Sequence, residues 1–440
     1  MKRLLLALTL LLGLATPSQG QQAPPWTTDN LLTIDLAPLP AGLSYGGIGI
    51  AVGNLSIGTG WKLEPSAWGP TPSHPQGYEG LWFKGTDPLN RTKIQAKDYA
   101  HTVITGRNAG MLRFENIEFL MAQGAGKQTC VWLGVDAPNK PDFVPATAEF
   151  INCKFTASNI PLNKDPQGRG EWALFTDAVD LVVRNSEFDT ANLNEHPIYV
   201  HALGQYGMFM ENVDMTGAGA IAAQLTWRPG PMYYDDPAIL AVAKHANPPN
   251  EDWFHPASNA VVWWKNCHFG DWGQPWSWRG GAGLATQGVG ISQLYEDCTW
   301  IDHNNKKFPA AAISDSGVEH FGAGSVAGAD PANGDIIFRR CFFYCGPDGG
   351  TTFPPLIDMN QLTTHITELA RSVRFEDCGM YGLNRRVSLR GVQGDEIYVT
   401  GCNTPAIKAQ ADALGIDTTN EAMLNINGGA FKPASQGHTP

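Results

Sequence analysis

Titratable side chains that could act on a sugar polymer fall in two stretches of the chain, 199–236 and 276–358. The candidates for catalysis are Tyr199, His201, Arg279, Asp315 and Asp358. Elimination beside a uronic acid needs a base at the C5 proton, such as His201 or Tyr199, and a cation, either Arg279 or a bound metal, to neutralise the carboxylate. Hydrolysis needs two carboxylates instead, and the clustered candidates are Asp235, Asp236, Asp315 and Asp358. The residue types leave both reactions open.

A second set of residues could hold such a substrate. These aromatic, amide and charged side chains are Gln224, Trp227, Arg228, Tyr233, Tyr234, Asp235, Asp236, Trp276 and Trp278. Most belong to a long insertion at about 227–256, and a loop of that length beside a rigid sheet is usually functional or disordered. Its aromatic residues argue against disorder. Plain alternatives remain: His201 could be a solvated strand residue, and the run 233–236 could be an ordinary folded loop.

Composition narrows the partners and cofactors. The formal net charge of −12 repels polyanions, so nucleic acid is an unexpected partner. The 14 Trp and 11 Tyr could provide stacking platforms for a polysaccharide. Scattered carboxylates could bind Ca²⁺ as a cofactor. The sequence has no zinc, nucleotide or phosphate-loop motif that would predict a different cofactor.

The first twenty residues have the features of a signal peptide. Lys2 and Arg3 precede an apolar run from Leu4 to Leu14, and small residues stand at 18 and 20. That run is about half of what a membrane span requires. We therefore predict a signal peptide over 1–20, a secreted or periplasmic location and no membrane insertion. An N-terminal extension or cap is expected at 21–46, a repeat domain at 47–404, and a C-terminal segment with a polar tail at 405–440.

One eight-residue pattern, the octad, recurs nine times along the repeat domain and predicts its architecture. The octads begin at Leu112, Ala148, Leu181, Met208, Val262, Gln293, Ile336, Val373 and Ile397. Positions one, three and eight are almost always apolar, which is the alternation of a half-buried strand. The starts of the fourth and fifth octads are separated by 54 residues, and this gap is expected to hide one extra coil.

Position five of the octad predicts a bend. It is Asn in the first five octads and Asp in two later ones, and both residues tolerate the left-handed backbone that lets a strand turn a corner. Each octad is thus two short strands facing one interior, with the Asn side chains stacked in a ladder. A further strand per coil is expected at 171–176, 197–202, 220–226, 275–280, 311–316, 355–360 and 386–390.

Cysteine occupies position six in six octads. Neighbouring rungs would hold two Cα atoms close enough for a disulfide, so one or two bonds are conceivable. A stack of buried thiols, with Cys acting as a small hydrophobic residue, is the interpretation that we favour.

The octads, the Asn bend and the run from Val103 to Phe119 resemble the right-handed parallel β-helix proteins of the pectate-lyase-like superfamily. The resemblance spans about 47–404 and implies an all-β fold, a right-handed single-stranded parallel β-helix of about ten or more coils with loop insertions. It does not identify an activity, because the superfamily includes lyases, hydrolases, esterases, tailspikes and adhesins. The string Trp300 to His303 looks like one in pectate lyases, but here Trp300 is the last residue of its octad.

In enzymes with this fold the substrate lies outside one sheet, so outward residues of the further strands are the expected site. With Ile198 and Val200 inward, Tyr199 and His201 point outward, and the same alternation places Gln224, Arg279 and Asp358 on one face. The leading hypothesis is a secreted polysaccharide lyase or glycoside hydrolase that acts on an extended glycan. The alternative is a non-catalytic extracellular module for surface display, adhesion or glycan binding.

Overall fold

The structure is a computed structural model. It describes residues 27, 29–36, 51–52, 55–56, 61–63, 80–95, 104–107, 111–120, 129–134, 146–156, 170–176, 179–200, 203–218, 221–226, 261–270, 282–287, 292–303, 311–314, 335–346, 355–360, 372–389 and 396–440. The predicted signal peptide lies outside these residues. Among them, no helix is both long and apolar enough to cross a bilayer.

Short strands account for most of the described chain. The first half contains β1 (Leu31–Leu36), β2 (Ala51–Val52), β3 (Leu55–Ser56), β4 (Trp61–Leu63), β5 (Gly80–Gly85), β6 (Thr92–Gln95), β7 (Ile104–Arg107), β8 (Met111–Glu115), β9 (Ile117–Leu120), β10 (Thr129–Gly134), β11 (Ala146–Ile151), β12 (Lys154–Thr156), β13 (Gly170–Thr176), β14 (Val179–Val200), β15 (Leu203–Ala218) and β16 (Ile221–Thr226).

The second half contains β17 (Val261–Lys265), β18 (His268–Gly270), β19 (Ala282–Gln287), β20 (Ser292–Glu296), β21 (Thr299–Asp302), β22 (Ala311–Ser314), β23 (Asp335–Arg339), β24 (Phe342–Cys345), β25 (Pro355–Asn360), β26 (Ser372–Glu376), β27 (Gly379–Tyr381), β28 (Arg386–Leu389), β29 (Ile397–Thr400), helix α1 (Pro405–Ala413), β30 (Met423–Ile426) and β31 (Lys432–Pro433).

Parallel pairing arranges the strands in three arrays. Array A holds the first half of each octad and runs β1, β5, β8, β11, β14, β15, β17, β20, β23, β26, β29. Array B holds the second halves and runs β6, β9, β12, β14, β15, β18, β21, β24, β27. Array C runs β4, β7, β10, β13, β14, β16, β19, β22, β25, β28, β30. The predicted all-β, mainly parallel architecture is confirmed, and it is consistent with a parallel β-helix.

The bend at position five is confirmed in all nine octads. Its φ is positive at Asn116, Asn152, Asn185, Asn212, Asn266, Asp297, Arg340, Asp377 and Gly401. The predicted Asn ladder also forms. Asn152 Nδ2 donates to Asn116 Oδ1 at 2.7 Å, and Asn266 Nδ2 donates to Asn212 Oδ1 at 2.7 Å. Arg340 has no amide to contribute, and its guanidinium instead forms two hydrogen bonds to the carboxylate of Asp297.

The interior is filled by octad positions one, three, six and eight. Position-three and position-eight rings stack on those of the next rung; for example, the ring centroids of Phe155 and Phe188 are 4.3 Å apart and those of Trp300 and Phe343 4.7 Å. Trp264 is fully buried, as expected from its register. Because rings of successive strands meet face to face, the core is continuous along the column.

The position-six cysteines extend this core. All six are buried, and the seven cysteines whose side chains the structure describes are free thiols. Each octad thiol donates to carbonyl groups of its own bend; the Cys267 thiol, for example, reaches Lys265 O at 3.3 Å. Burial raises the pKa of Cys153 to about 12. The predicted thiol ladder is confirmed for these residues.

An alternating row of charges covers the outer face of array A at position four. Arg184, Glu211 and Lys265 occupy consecutive rungs, with both cations 3.8 Å from the Glu211 carboxylate. Farther along, Arg339 lies 3.0 Å from Glu296 and 2.8 Å from Glu376. The opposite charges of neighbouring rungs neutralise each other, so we assign this row a role in stabilising the sheet.

The structure describes parts of both predicted end segments. β1 lies within 21–46 and pairs in register with β5, so it continues array A. Within 405–440, Ala434 is fully buried, and His438 exchanges two backbone hydrogen bonds with Val399. The extra coil expected between the fourth and fifth octads was wrong, because Met208 is the direct partner of Val262.

Candidate functional site

Of the predicted catalytic residues, Tyr199 and Asp358 are described, and both lie on the outer face of array C. Ile198 and Val200 are fully buried in the core, which confirms the alternation, and Gln224 is the Cα partner of Tyr199. Asp358 occupies the same row but is separated from Gln224 by the strands β19 and β22. Strands in a sheet are about 4.8 Å apart, so these two residues are roughly 14 Å apart at their backbones. They could contact one extended polymer but not the same bond.

Tyr199 has its predicted outward register but is largely covered. Only 6% of its surface is exposed, and its ring meets the edge of Phe175 with the centroids 5.5 Å apart. A general base must come within hydrogen-bond reach of the proton that it removes, and the role of Tyr199 as that base stays a prediction. Asp358, by contrast, is half-buried at its predicted register.

The strand predicted at 275–280 lies outside the described residues. Within them, the place in array C between β16 and β22 is taken by β19, Ala282–Gln287. Most of the other candidates also lie outside the described residues: His201, Trp227, Arg228, Tyr233, Tyr234, Asp235, Asp236, Trp276, Trp278, Arg279 and Asp315. For Gln224 the structure describes the backbone alone.

A denser group of titratable side chains lies on the outer face of array B, at octad position seven. We call it the position-seven row; from rung to rung it consists of Lys93, Glu118, Lys154, Glu187, Asp214, His268 and Thr299. Every member is the Cα partner of the next. Adjacent side chains of this row are thus separated by a single strand spacing.

Glu187 is held ionised at the centre of the row. Arg91 bonds its Oε1 at 2.5 Å and also donates to the backbone oxygen and side chain of Asn152, so the guanidinium is braced across rungs. Lys154 Nζ lies 3.4 Å from Glu187 Oε2. Partial burial alone would raise the pKa of Glu187, but the hydrogen bond and charge of Arg91 and the charge of Lys154 outweigh it and lower that pKa.

Asp214, one rung farther along, has the opposite environment. Its Oδ1 is buried and accepts no hydrogen bond from the described part of the chain. Burial raises the pKa of Asp214; the charges of Glu187 and Asp189 act in the same direction, and those of His268 and Lys154 oppose it. Two neighbouring carboxylates therefore differ: Glu187 stays charged, whereas Asp214 keeps its proton to a higher pH.

His268 completes the group on the other side of Asp214. Its Nδ1 is 2.7 Å from Thr299 Oγ1, which orients the ring. The opposite edge of the ring lies over Gly270, where a Cβ atom would come within 3.2 Å of His268 Nε2. A larger residue at 270 would displace the imidazole, so the missing side chain of Gly270 leaves space for the ring of His268.

Sequence reasoning missed the position-seven row, although the signal was present. When the octads are aligned, position seven contains Glu118, Lys154, Glu187, Asp214 and His268 in succession. The alternation places this column outside, and a run of titratable residues in an outward column is a criterion for a site. The site was expected on the further strands instead.

The described residues contain no group of three or more His, Cys, Asp and Glu side chains that could hold a metal ion, and Ca²⁺ remains a prediction. No protein-family model, curated protein or solved structure matches this chain.

Proposed function

We propose that this chain is an exported glycoside hydrolase that cleaves an extended, neutral glycan lying along the outer face of array B. The observation that carries the proposal is the pair formed by Asp214 and Glu187, carboxylates on adjacent rungs in opposite electrostatic surroundings. Environments that push the pKa values of two carboxyl groups apart assign an acid and a charged partner. The proposal includes the secreted or periplasmic location, and the right-handed winding of about ten or more coils that the resemblance implies.

The two side chains have different roles in the reaction. Asp214 gives its proton to the glycosidic oxygen, and the bond from that oxygen to C1 breaks with its electron pair moving to the oxygen. As that bond breaks, the Glu187 carboxylate attacks C1 from the opposite face and forms a covalent glycosyl ester. Water then displaces Glu187 from C1 and gives a proton back to the Asp214 carboxylate. The two residues are Cα partners on neighbouring strands, and two displacements at C1 lead to retention of configuration.

The charge of the surface supports a neutral substrate. The chain carries −12 overall, so a polyanionic glycan would be repelled by the protein as a whole. In the position-seven row itself, Glu118 and Glu187 are paired with cations, and such paired groups, together with Thr299, can bond to the hydroxyl groups of a neutral glycan. A regular rung spacing presents such groups at even intervals to an extended polymer.

The test is product analysis of the mature chain with neutral and acidic polysaccharides, with and without Ca²⁺. New reducing ends without absorbance from unsaturated ends are the expected result. Asp214→Asn should lower kcat about 10²–10⁴-fold, the usual contribution of a general acid. Glu376→Gln is the control, because it makes the same carboxyl-to-amide change at an ion-paired residue of array A, away from the proposed site, and its kcat should equal that of the parent.

Two results would overturn the proposal. Unsaturated ends would establish a lyase. The absence of product from any glycan would favour the non-catalytic module for display, adhesion or glycan binding. Circular dichroism of each variant separates a loss of chemistry from a loss of fold.

A further inference from the structure

The outer face of array B is covered at one end. Helix α1 lies there, and its Ile407 and Ala411 pack with Ile416 against three outward aromatic residues of β24 and β27. These are Phe342, Tyr344 and Tyr381, each no more than 7% exposed. They form a cluster separate from the core inside the column. Ile301 of β21 is partly buried at its margin.

The cover is fixed by specific bonds. Thr404 caps the helix by accepting a hydrogen bond from Ile407 N, and Pro405 stands in its first turn. Just before the cap, the Asn403 side chain accepts from Met380 N at 2.8 Å and donates to Met380 O at 3.0 Å. Because both ends of this amide hold the backbone of β27, the helix cannot shift without breaking them.

The proposed acid lies close to this cover. From Asp214 on β15, the rungs follow as β18 with His268, β21 with Thr299, and β24 with the covered Phe342. Three strand spacings are roughly 14 Å. In the other direction the side chains stay at least partly accessible: 41% of Glu187, 24% of Lys154, 18% of Glu118 and 50% of Lys93 are exposed. The outer face of array B is thus accessible on the Glu187 side of Asp214 and covered by α1 on the other side.

We infer that the protein acts on the ends of glycan chains and releases one short product, because a polymer cannot continue past Thr299. This inference rests on the proposed function and deepens it. The end of the chain would occupy the rungs of His268 and Thr299, and the rest would extend over Lys154 and Glu118. The size of the released product is then set by the distance between Asp214 and the aromatic cluster.

The experiment follows the mature chain acting on the neutral polysaccharide from the panel that gives the most reducing ends, and on its oligosaccharides of graded length labelled at the reducing end. Chain-end action predicts one short product of constant size from the first time point, with little loss of polymer viscosity per reducing end formed. A mixture of sizes with a rapid fall in viscosity would overturn this inference and leave the proposed function standing. No reducing ends with any substrate would overturn both.

A variant of helix α1 tests whether the helix restricts cleavage to chain ends. Ile407→Ala removes a buried contact between α1 and the aromatic cluster, and products of mixed size are expected to increase at least several-fold. Lys408→Ala changes an exposed residue of the same helix and should keep the parent pattern. Should Ile407→Ala fail to fold, the product pattern of the parent still decides. Chain-end products from both variants in parent proportions would show that the helix does not set the specificity.

Discussion

Replacement of Asn266 measures how much the octad bend depends on its residue type. The Asn266 backbone has φ +50°, and its Nδ2 donates to Asn212 Oδ1 at 2.7 Å on an exposed surface. Loss of that hydrogen bond costs about 1 kcal/mol. An Ala at this position also occupies the left-handed region, at about 1–2 kcal/mol. Asn266→Ala should therefore lower the free energy of unfolding by about 2.5 kcal/mol.

Asn266→Gly separates the two contributions. Glycine adopts the left-handed region without steric cost, but it loses the same hydrogen bond and more backbone freedom on folding, about 0.5–1 kcal/mol. The expected loss is about 1.5 kcal/mol, so Gly should be more stable than Ala by about 1 kcal/mol. Lys265→Ala is the neighbouring control; its ion pair with Glu211 is 3.8 Å long and partly exposed, and its loss should cost less than about 0.5 kcal/mol.

The assay is urea unfolding followed by tryptophan fluorescence, since Trp264 lies buried two residues away. An Ala variant equal to or more stable than the Gly variant would refute the argument, because it would show that the left-handed backbone carries no cost at this bend.

Three further predictions follow from the same structure. Burial raises the pKa of Asp214, so the stability that this group contributes is present below its ordinary pKa and is lost as pH rises through the raised pKa. The Asp214→Asn variant should therefore have a higher melting temperature than the parent at neutral pH and the same melting temperature in acid. A difference in melting temperature that does not depend on pH would contradict this. The thiol of Cys298 should not react with a thiol reagent in the native protein and should react in urea, since burial raises its pKa well above the ordinary value; rapid native labelling, absent in Cys298→Ala, would disprove it. Phe338→Ala leaves a cavity between the stacked rings of Tyr295 and Phe375 and should cost about 3–5 kcal/mol by urea unfolding; a loss below 1 kcal/mol would mean that the interior collapses around it.

Local chemistry explains why the fold could be predicted to a large extent. The apolar alternation and the Asn bend are properties of eight consecutive residues, and nine copies point to the same parallel stacking. Arg340 shows the limit of this rule. A long basic side chain has no preference for φ +52°, yet the stack holds it there, paired with Asp297.

Elements with weak local signals were missed. β19 has the sequence AGLATQ, poor in the β-branched and aromatic residues that favour strands, whereas the tryptophan-rich stretch before it attracted the prediction. β19 forms because it pairs with both neighbouring strands, β16 and β22. The C-terminal cap is similar, since the hydrogen bonds of His438 are made to Val399, far away in the sequence.

The candidate site divides in the same way. The sequence by itself determined which residues point outward, because alternation is a local property: Tyr199 and Asp358 have the register that was expected for them. Only the tertiary structure decided which outward residues meet. Neighbours on adjacent rungs are tens of residues apart in the chain, so the contrast between Asp214 and Glu187, the reach of Arg91 across rungs and the closure by α1 depend on how loops of unequal length bring the rungs into register.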